Sequence, residues 1–410
     1  MANVMGFAAM DADTQRRVSI GFNNFAHAVD HYVMLIFPTV VIGLEVVYGR
    51  PYGELLVVGT ASFFAFGIFS LPAGWLADRW SRRNMMAVFY VGCGFSLAAA
   101  ALSPNFIALG VSLFMLGVFA AIYHPVGTAI VVAQATNRGR TLAFNGVCGN
   151  LGVALAAGIT AALTAWLGWR GAFMVPAAVC VATGVAYLAL VPDDRHEAKT
   201  RSSAPDVRLA VWIMASVFAL FILVGTTAGL VFNTVTIALP KLLDERMGGG
   251  ISLVAIGGIA TVVFLFGAAA QLVVGRVLER YSPHLVFAAV ALLQFIGVVW
   301  IVNATGYVLL AALAFAISFV YAQVTVNDFV IARYTADVWR ARVYAVRYFI
   351  TYLISGAAIT MIAFLHSRGG FDLVLLVTAV VAFGFVVGTA AIAVLVNGVE
   401  RDFKALQPAE

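Results

Sequence analysis

The stretch Gly74-Trp75-Leu76-Ala77-Asp78-Arg79-Trp80-Ser81-Arg82-Arg83 separates two apolar runs, 55–77 and 85–103, that carry no Asp, Glu, Lys or Arg. Runs near 20 apolar residues are read as transmembrane helices, because that length matches the hydrocarbon core. They are too continuously apolar for the alternating strands of a membrane barrel. A charged decapeptide between two such runs belongs at a membrane surface, where one span ends and the next begins.

The same pattern repeats along the 410 residues, of which 63% are hydrophobic and 10% charged, with mean hydropathy +0.99. A soluble domain carries roughly 25% charged residues, so lipid has to cover much of this surface. Twelve spans are expected: 18–43, 55–77, 85–103, 107–133, 141–165, 171–191, 209–240, 251–274, 284–302, 306–331, 343–366 and 372–396. The fourth, seventh and tenth exceed the crossing length, which predicts tilt or kinking. Cys93, Cys148 and Cys180 lie far apart inside apolar runs and suggest neither disulfides nor a metal cluster. No cleavable leader is expected, since residues 1–17 are polar-ended and the first apolar run has the length of a span.

Six runs precede a charged stretch at 192–208 and six follow it. This predicts an N-terminal bundle over 1–191, a linker over 192–208, and a C-terminal bundle with a short tail over 209–410. Of the 24 Lys and Arg, 18 fall in the termini, the linker and the even-numbered turns, and five (Arg50, Arg170, Lys241, Arg246, Arg368) in the odd-numbered turns; Arg347 lies within a span. The positive-inside rule then places both termini in the cytoplasm, for a multi-pass protein of the cytoplasmic (inner) membrane. The basic pI of 9.2 is explained by this topology, and nucleic acid is not an expected partner.

The two halves resemble each other. Gly74 to Arg79 faces Gly275-Arg276-Val277-Leu278-Glu279-Arg280, 201 positions later, and Arg138 and Arg140 face Arg340 and Arg342. A duplicated unit with an even number of helices gives parallel repeats, with substrate held between them near mid-depth. With these features in place, Gly74, Asp78, Arg79, Arg82 and Arg83 fit the G-x-x-x-D-R-x-x-R-R loop of the major facilitator superfamily, and the chain resembles that superfamily throughout. The resemblance implies an all-α polytopic fold of 12 transmembrane helices in two six-helix bundles. It also implies that Gly74, Asp78, Arg79, Arg82 and Arg83 act in gating; Gly74 permits close helix packing, and Asp78 is an anion available to helix-end partners.

Ionisable groups deep in a span are costly and usually face a cavity or a partner. His27, Asp30 and His31 share one face of the first span, with Asn23 and Asn24 one turn away. Tyr123-His124-Pro125 lies in the fourth span, and Pro125 is expected to kink it. In the superfamily's arrangement these spans line the central path, so Asp30 and His124 are expected at similar depth, as a proton-coupling or substrate-binding pair; a plain Asp–His contact fixing the two helices is the structural alternative. In the second half, Asp328 and Arg347 are expected to pair, with Arg347 also able to attract an anion. Asn233 and Gln323, with Thr234, Thr236, Thr325 and Asn327, are candidate cavity hydrogen bonders. Gly146, Gly149, Gly152 and Gly158 make the fifth span suited to close packing.

No G-x-x-x-x-G-K-[ST], H-E-x-x-H or G-x-S-x-G arrangement is present, which argues against an ATP-driven pump or a hydrolase. The expected function is a secondary transporter of a small organic molecule, working as a monomer among membrane lipids, without a cofactor and with protons as coupling ion. Export in exchange for protons is the leading direction. It is supported by a resemblance of the span-one His followed by Asp (His27, Asp30) and of His124-Pro125 to the fosmidomycin-resistance exporters, from which this chain departs in having Pro125-Val126-Gly127 where Pro-Glu-Gly is expected. Proton-coupled uptake of an organic anion is the alternative. No metal is expected, with a transition-metal set of His27, His31, His124 and Asp30 as a further alternative.

Overall fold

The computed structural model describes residues 11–192, 211–248, 250–334 and 337–405. Its elements are α1 (Ala12–Tyr48), α2 (Tyr52–Leu56), a 3-10 turn (Val57–Gly59), α3 (Thr60–Arg79), α4 (Arg82–Ala101), α5 (Phe106–Ala120), a π turn (Tyr123–Gly127) and α6 (Thr128–Gln134). There follow α7 (Arg138–Leu190), α8 (Val211–Arg246), α9 (Leu253–Leu278), α10 (Pro283–Val302), α11 (Gly306–Tyr334) and α12 (Asp337–Ala405). No strand occurs among the described residues.

Short polar residues set the helix starts by accepting an otherwise unpaired backbone N–H. Asp11 accepts from Thr14 at 2.7 Å, Asn105 from Ala108 at 2.9 Å and Asn137 from Arg140 at 3.1 Å. Ser81, inside the charged decapeptide, accepts from Asn84 N–H at 3.1 Å and so opens α4. The decapeptide is a span boundary, as its composition predicts.

Among the described residues, ten helices are long and apolar enough to cross a membrane, and two of them contain an internal break. α7 turns at Gly168 (φ 73°, ψ 170°) and α12 at Gly369–Gly370, where Gly370 has φ 59°. These conformations exclude ordinary helix, and the positive φ values favour glycine. Each long helix therefore supplies two crossings, which brings the total to the twelve expected. The fourth span is interrupted by the π turn at Pro125, as its length and proline predict. The second departs from the simple run 55–77, entering through α2 and the 3-10 turn before α3. The expected linker lies, from residue 193 on, outside the described residues.

Within the first half, α1 and α4 pack on α7, and α5 packs on α3 and α4; within the second, α8 packs on α12, α9 on α11, and α10 on both α11 and α12. The halves meet where α7 lies along α9 and where α2 and α3 lie along α12. Apolar side chains such as Phe95, Trp166, Tyr307, Val380 and Leu395 remain exposed on the outside. A lipid-facing surface requires that arrangement; in water it would be an aggregation hazard.

Candidate functional site

The polar residues of α1 meet the π turn at the centre of the first half. Residues 27, 30 and 31 are three and four apart, so one helical face carries all three. Opposite them, Pro125 has no backbone N–H to give, and the chain widens into a π turn that presents Tyr123 and His124. A Cβ on Gly74 would lie 3.2 Å from Pro125 Cβ, so the first residue of the decapeptide packs against the turn that holds His124.

Asp30 is fully buried, and its Oδ2 lies 3.2 Å from His124 Nε2. The distance suits an ion pair, yet neither Asp30 oxygen receives a well-aligned hydrogen bond among the described residues. The contact is poorly aligned for a hydrogen bond, and it becomes an ion pair only when the imidazole is protonated. His27 and His31 ring centroids are 5.0 Å apart, and each lies within 5.5 Å of the His124 ring centroid. Tyr123 stacks on His27 at 4.8 Å.

Asn145 of α7 holds this group together. Its carbonyl oxygen is 2.7 Å from His27 Nδ1, and its side-chain NH2 donates to Asn24 Oδ1 at 3.0 Å. The Tyr123 hydroxyl lies 3.1 Å from Asn145 Oδ1 and 2.9 Å from Nδ2. One turn further along α7, the His27 ring lies across Gly149; a Cβ there would be 2.5 Å from Nε2. In the sequence Gly149 reads as general packing, and Asn145 carries no local signal of its own. Their specific roles depend on a register between α1 and α7 that no local pattern encodes.

The expected gating residues form contacts inside the first half. Arg82 pairs with Asp78 at 3.3 Å, and the Arg79 guanidinium lies 4.1 Å over the Trp75 ring. Arg83 donates to the carbonyls of Val191 (3.0 Å) and Leu188, tying the start of α4 to the end of α7.

In the second half, Asn233 donates to the Gly229 carbonyl at 2.8 Å, and Gln323 is buried with Oε1 accepting no hydrogen bond among the described residues. Asp328 is half-buried on α11, while the side chain of Arg347 lies outside the described residues, and with it the expected pair. Between the halves, Asn150 donates to Gln271, whose own amide donates to the Tyr321 carbonyl at 3.0 Å. Leu35, Thr39, Ala157, Thr236 and Phe264 line a small crevice where α1, α7, α8 and α9 converge.

A charged latch at the end of the molecule away from the N-terminus went unnoticed in the sequence. Lys241 of α8 is 7% exposed and pairs with Glu45 of α1, with Asp244 at 2.8 Å and with Glu245 at 3.8 Å. Glu245 also meets His366 Nε2 at 2.9 Å, and the His366 ring lies 5.1 Å from that of buried Tyr52. Arg246 pairs with Asp372 and donates to the carbonyls of Ile301 and Val302. The Lys241, Asp244, Glu245 spacing was the available signal, since it puts three charges on one helical face; nothing local pointed to Glu45.

Solved structures with this architecture include transporters. A bacterial homologue of the human lysosomal transporter Spinster, inward-facing and unoccupied, aligns with TM-score 0.72 at 13% identity over 92% of this chain and 96% of its own. A D-xylose–proton symporter aligns with TM-score 0.72 at 12% identity over 91% and 96%. Among curated relatives, the uncharacterized MFS-type transporter YfnC of Bacillus subtilis (strain 168) is 27% identical over 38% of this chain and 39% of its own length. The probable 4-methylmuconolactone transporter of Cupriavidus pinatubonensis is 24% identical over 58% and 56%, and the probable L-galactonate transporter of Escherichia coli (strain K12) 26% over 52% and 51%. The matched regions thus span about half or less of these relatives. The Major Facilitator Superfamily profile matches residues 21–322. With twelve apolar crossings and a polar group at mid-span, the chain belongs to the Major Facilitator Superfamily, whose members are transporters and not enzymes.

Proposed function

We propose that this protein is a proton-coupled secondary transporter that exports a small organic molecule by alternating access, with Asp30 and His124 as the coupling pair. The observation that carries the reading is Asp30, a fully buried carboxylate at mid-span whose nearest basic atom is His124 Nε2 at 3.2 Å. A carboxylate left this poorly compensated is costly in a membrane interior and is retained where it functions. Neutralising Asp30 by a proton, or protonating His124, changes the attraction between α1 and the π turn, and cargo arriving beside them shifts that balance. Two six-helix units, 1–191 and 209–410, would rock about the crevice between α1, α7, α8 and α9. The latch of Glu45 and Lys241 would close one end, and the Gly74–Arg83 segment would act at the other.

The distribution of Lys and Arg supports cytoplasmic termini, as for a multi-pass protein of the inner membrane. The export direction rests on the likeness of the first and fourth spans to fosmidomycin-resistance exporters. A second reading, uptake of an organic anion by proton symport, is favoured by the relatives named for L-galactonate and 4-methylmuconolactone.

Reconstituted vesicles separate the two. With a pH indicator inside proteoliposomes, export by exchange predicts that an outward organic gradient drives protons inward, whereas symport predicts that protons and cargo move together. L-galactonate, 4-methylmuconolactone and a panel of amphipathic drugs are the probes. Flux without any proton movement, from folded protein, would refute coupling.

A further inference from the structure

We propose that His27, His31 and His124 form a binding site for a transition-metal dication of the Zn²⁺ class, with Asp30 backing His124. One ring nitrogen of each histidine lies within 4.8 Å of the other two. Imidazole nitrogens bind Zn²⁺ at about 2.0–2.1 Å in a tetrahedron, which sets neighbouring ligand atoms about 3.3 Å apart. The three rings therefore need to close by no more than about 1.5 Å, a movement within reach of side-chain rotation.

The surroundings select which nitrogens face the cation. His27 Nδ1 lies 2.7 Å from the Asn145 carbonyl, which only accepts, so Nδ1 carries the proton and Nε2 keeps its lone pair for a ligand. Asp30 Oδ2 lies 3.2 Å from His124 Nε2, which places a carboxylate beside the imidazole. A carbonyl or carboxylate behind a metal-bound histidine fixes its tautomer and makes it a stronger ligand. The ring of His27 is held between Gly149 and Tyr123, so this ligand is pre-positioned.

A second observation points the same way. Asp30 is fully buried, and neither of its oxygens has a well-aligned hydrogen bond among the described residues. A bound dication supplies the charge that this carboxylate lacks. Three imidazoles backed by one carboxylate suit Zn²⁺, Co²⁺, Ni²⁺ or Cu²⁺ and disfavour Mg²⁺ and Ca²⁺, which take oxygen ligands. All four residues belong to the first half, so the cation joins α1 to the π turn without bridging the halves.

The inference concerns the residues of the proposed coupling pair but stands on the arrangement of the imidazoles, whatever the cargo. It is tested on the full-length protein in detergent, freed of any polyhistidine tag, by calorimetric titration with ZnCl2, CoCl2 and MgCl2. One Zn²⁺ per chain is expected, with Mg²⁺ silent and Co²⁺ giving the visible absorption of a tetrahedral site. His31→Ala and His124→Ala should each weaken Zn²⁺ binding at least tenfold, and Asp30→Asn by about 10–100-fold. His366→Ala, at the latch, should leave binding unchanged. Where an alanine variant fails to fold, His31→Gln supplies the same comparison. Absence of saturable Zn²⁺ binding to folded protein, or binding indifferent to His31 and His124, overturns the proposal. A flat isotherm leaves vesicle flux untouched, and absent flux leaves the isotherm untouched, so the two readings fail separately.

Discussion

Asp30 Oδ2 and His124 Nε2 lie 3.2 Å apart across the junction of α1 with the π turn between α5 and α6, while the Asp30 side chain has no exposed surface. The carboxylate has given up water without gaining a directed hydrogen bond. Such an arrangement is costly to the fold, and its consequences can be measured.

Asp30→Asn keeps the side-chain volume and removes the charge. Because a buried charge without a directed hydrogen bond is costly, the variant should melt at the same temperature as the parent or higher. Flux driven by a pH gradient should nevertheless be lost. Lowered thermal stability together with normal pH-driven flux would assign Asp30 a purely structural role.

Gly149→Ala tests the seat of His27. The new Cβ would fall 2.5 Å from Nε2, so the ring has to move, whereas a Cβ at Gly146 meets nothing within 4 Å. Overpacking of this kind costs about 1–3 kcal/mol. Gly146→Ala on the same helix should be neutral or stabilising by up to about 1 kcal/mol. Melting of the two variants in detergent should therefore move in opposite directions or differ plainly, and equal melting would contradict the packing described.

The spans were legible in the sequence because lipid requires unbroken apolar runs, and the decapeptide at 74–83 marked a boundary that Ser81 then caps. The shared face of His27, Asp30 and His31 followed from helical spacing alone. The meeting of Asp30 with His124 followed once the superfamily's helix placement was supplied. What stayed hidden depends on contacts between distant segments. Asn145 reaches residues 118 to 122 positions earlier, and Lys241 meets Glu45 across 196. A lysine counted as a loop charge is in fact a buried tie between halves. The breaks at Gly168 and Gly370 replace the loops that twelve separate spans would suggest, because a glycine at positive φ reverses the chain within one or two residues.

Lys241→Met removes the cation of the latch and leaves Glu45, Asp244 and Glu245 facing one another. Glu45 is one-quarter exposed in its side chain, so the pair stands between a surface and a buried ion pair, worth about 1–3 kcal/mol. Thiol labelling of Tyr52→Cys, at a buried position beside the latch, should accelerate about fivefold or more in the Lys241→Met background. An unchanged labelling rate would remove Lys241 from the closure.

Gly168→Ala isolates backbone strain, since no atom lies within 4 Å of the added Cβ while φ is +73°. A side chain at φ 73°, ψ 170° sits in a region essentially reserved for glycine and costs about 1–3 kcal/mol. Gly168→Asn should cost as much as Gly168→Ala, because asparagine tolerates the left-handed helical region but not this extended one. Melting curves that place both variants below the parent would support the sharp turn inside α7, and parent-like melting of either would contradict it.

The central claim is that Asp30 couples proton movement to cargo movement, and proton flux in proteoliposomes tests it most directly. Wild-type protein reconstituted with an internal pH indicator and presented with the substrate panel should show a proton signal with at least one compound. Asp30→Asn, equally folded and equally incorporated, should show none. Cargo-linked proton signals of equal size in both would contradict the account.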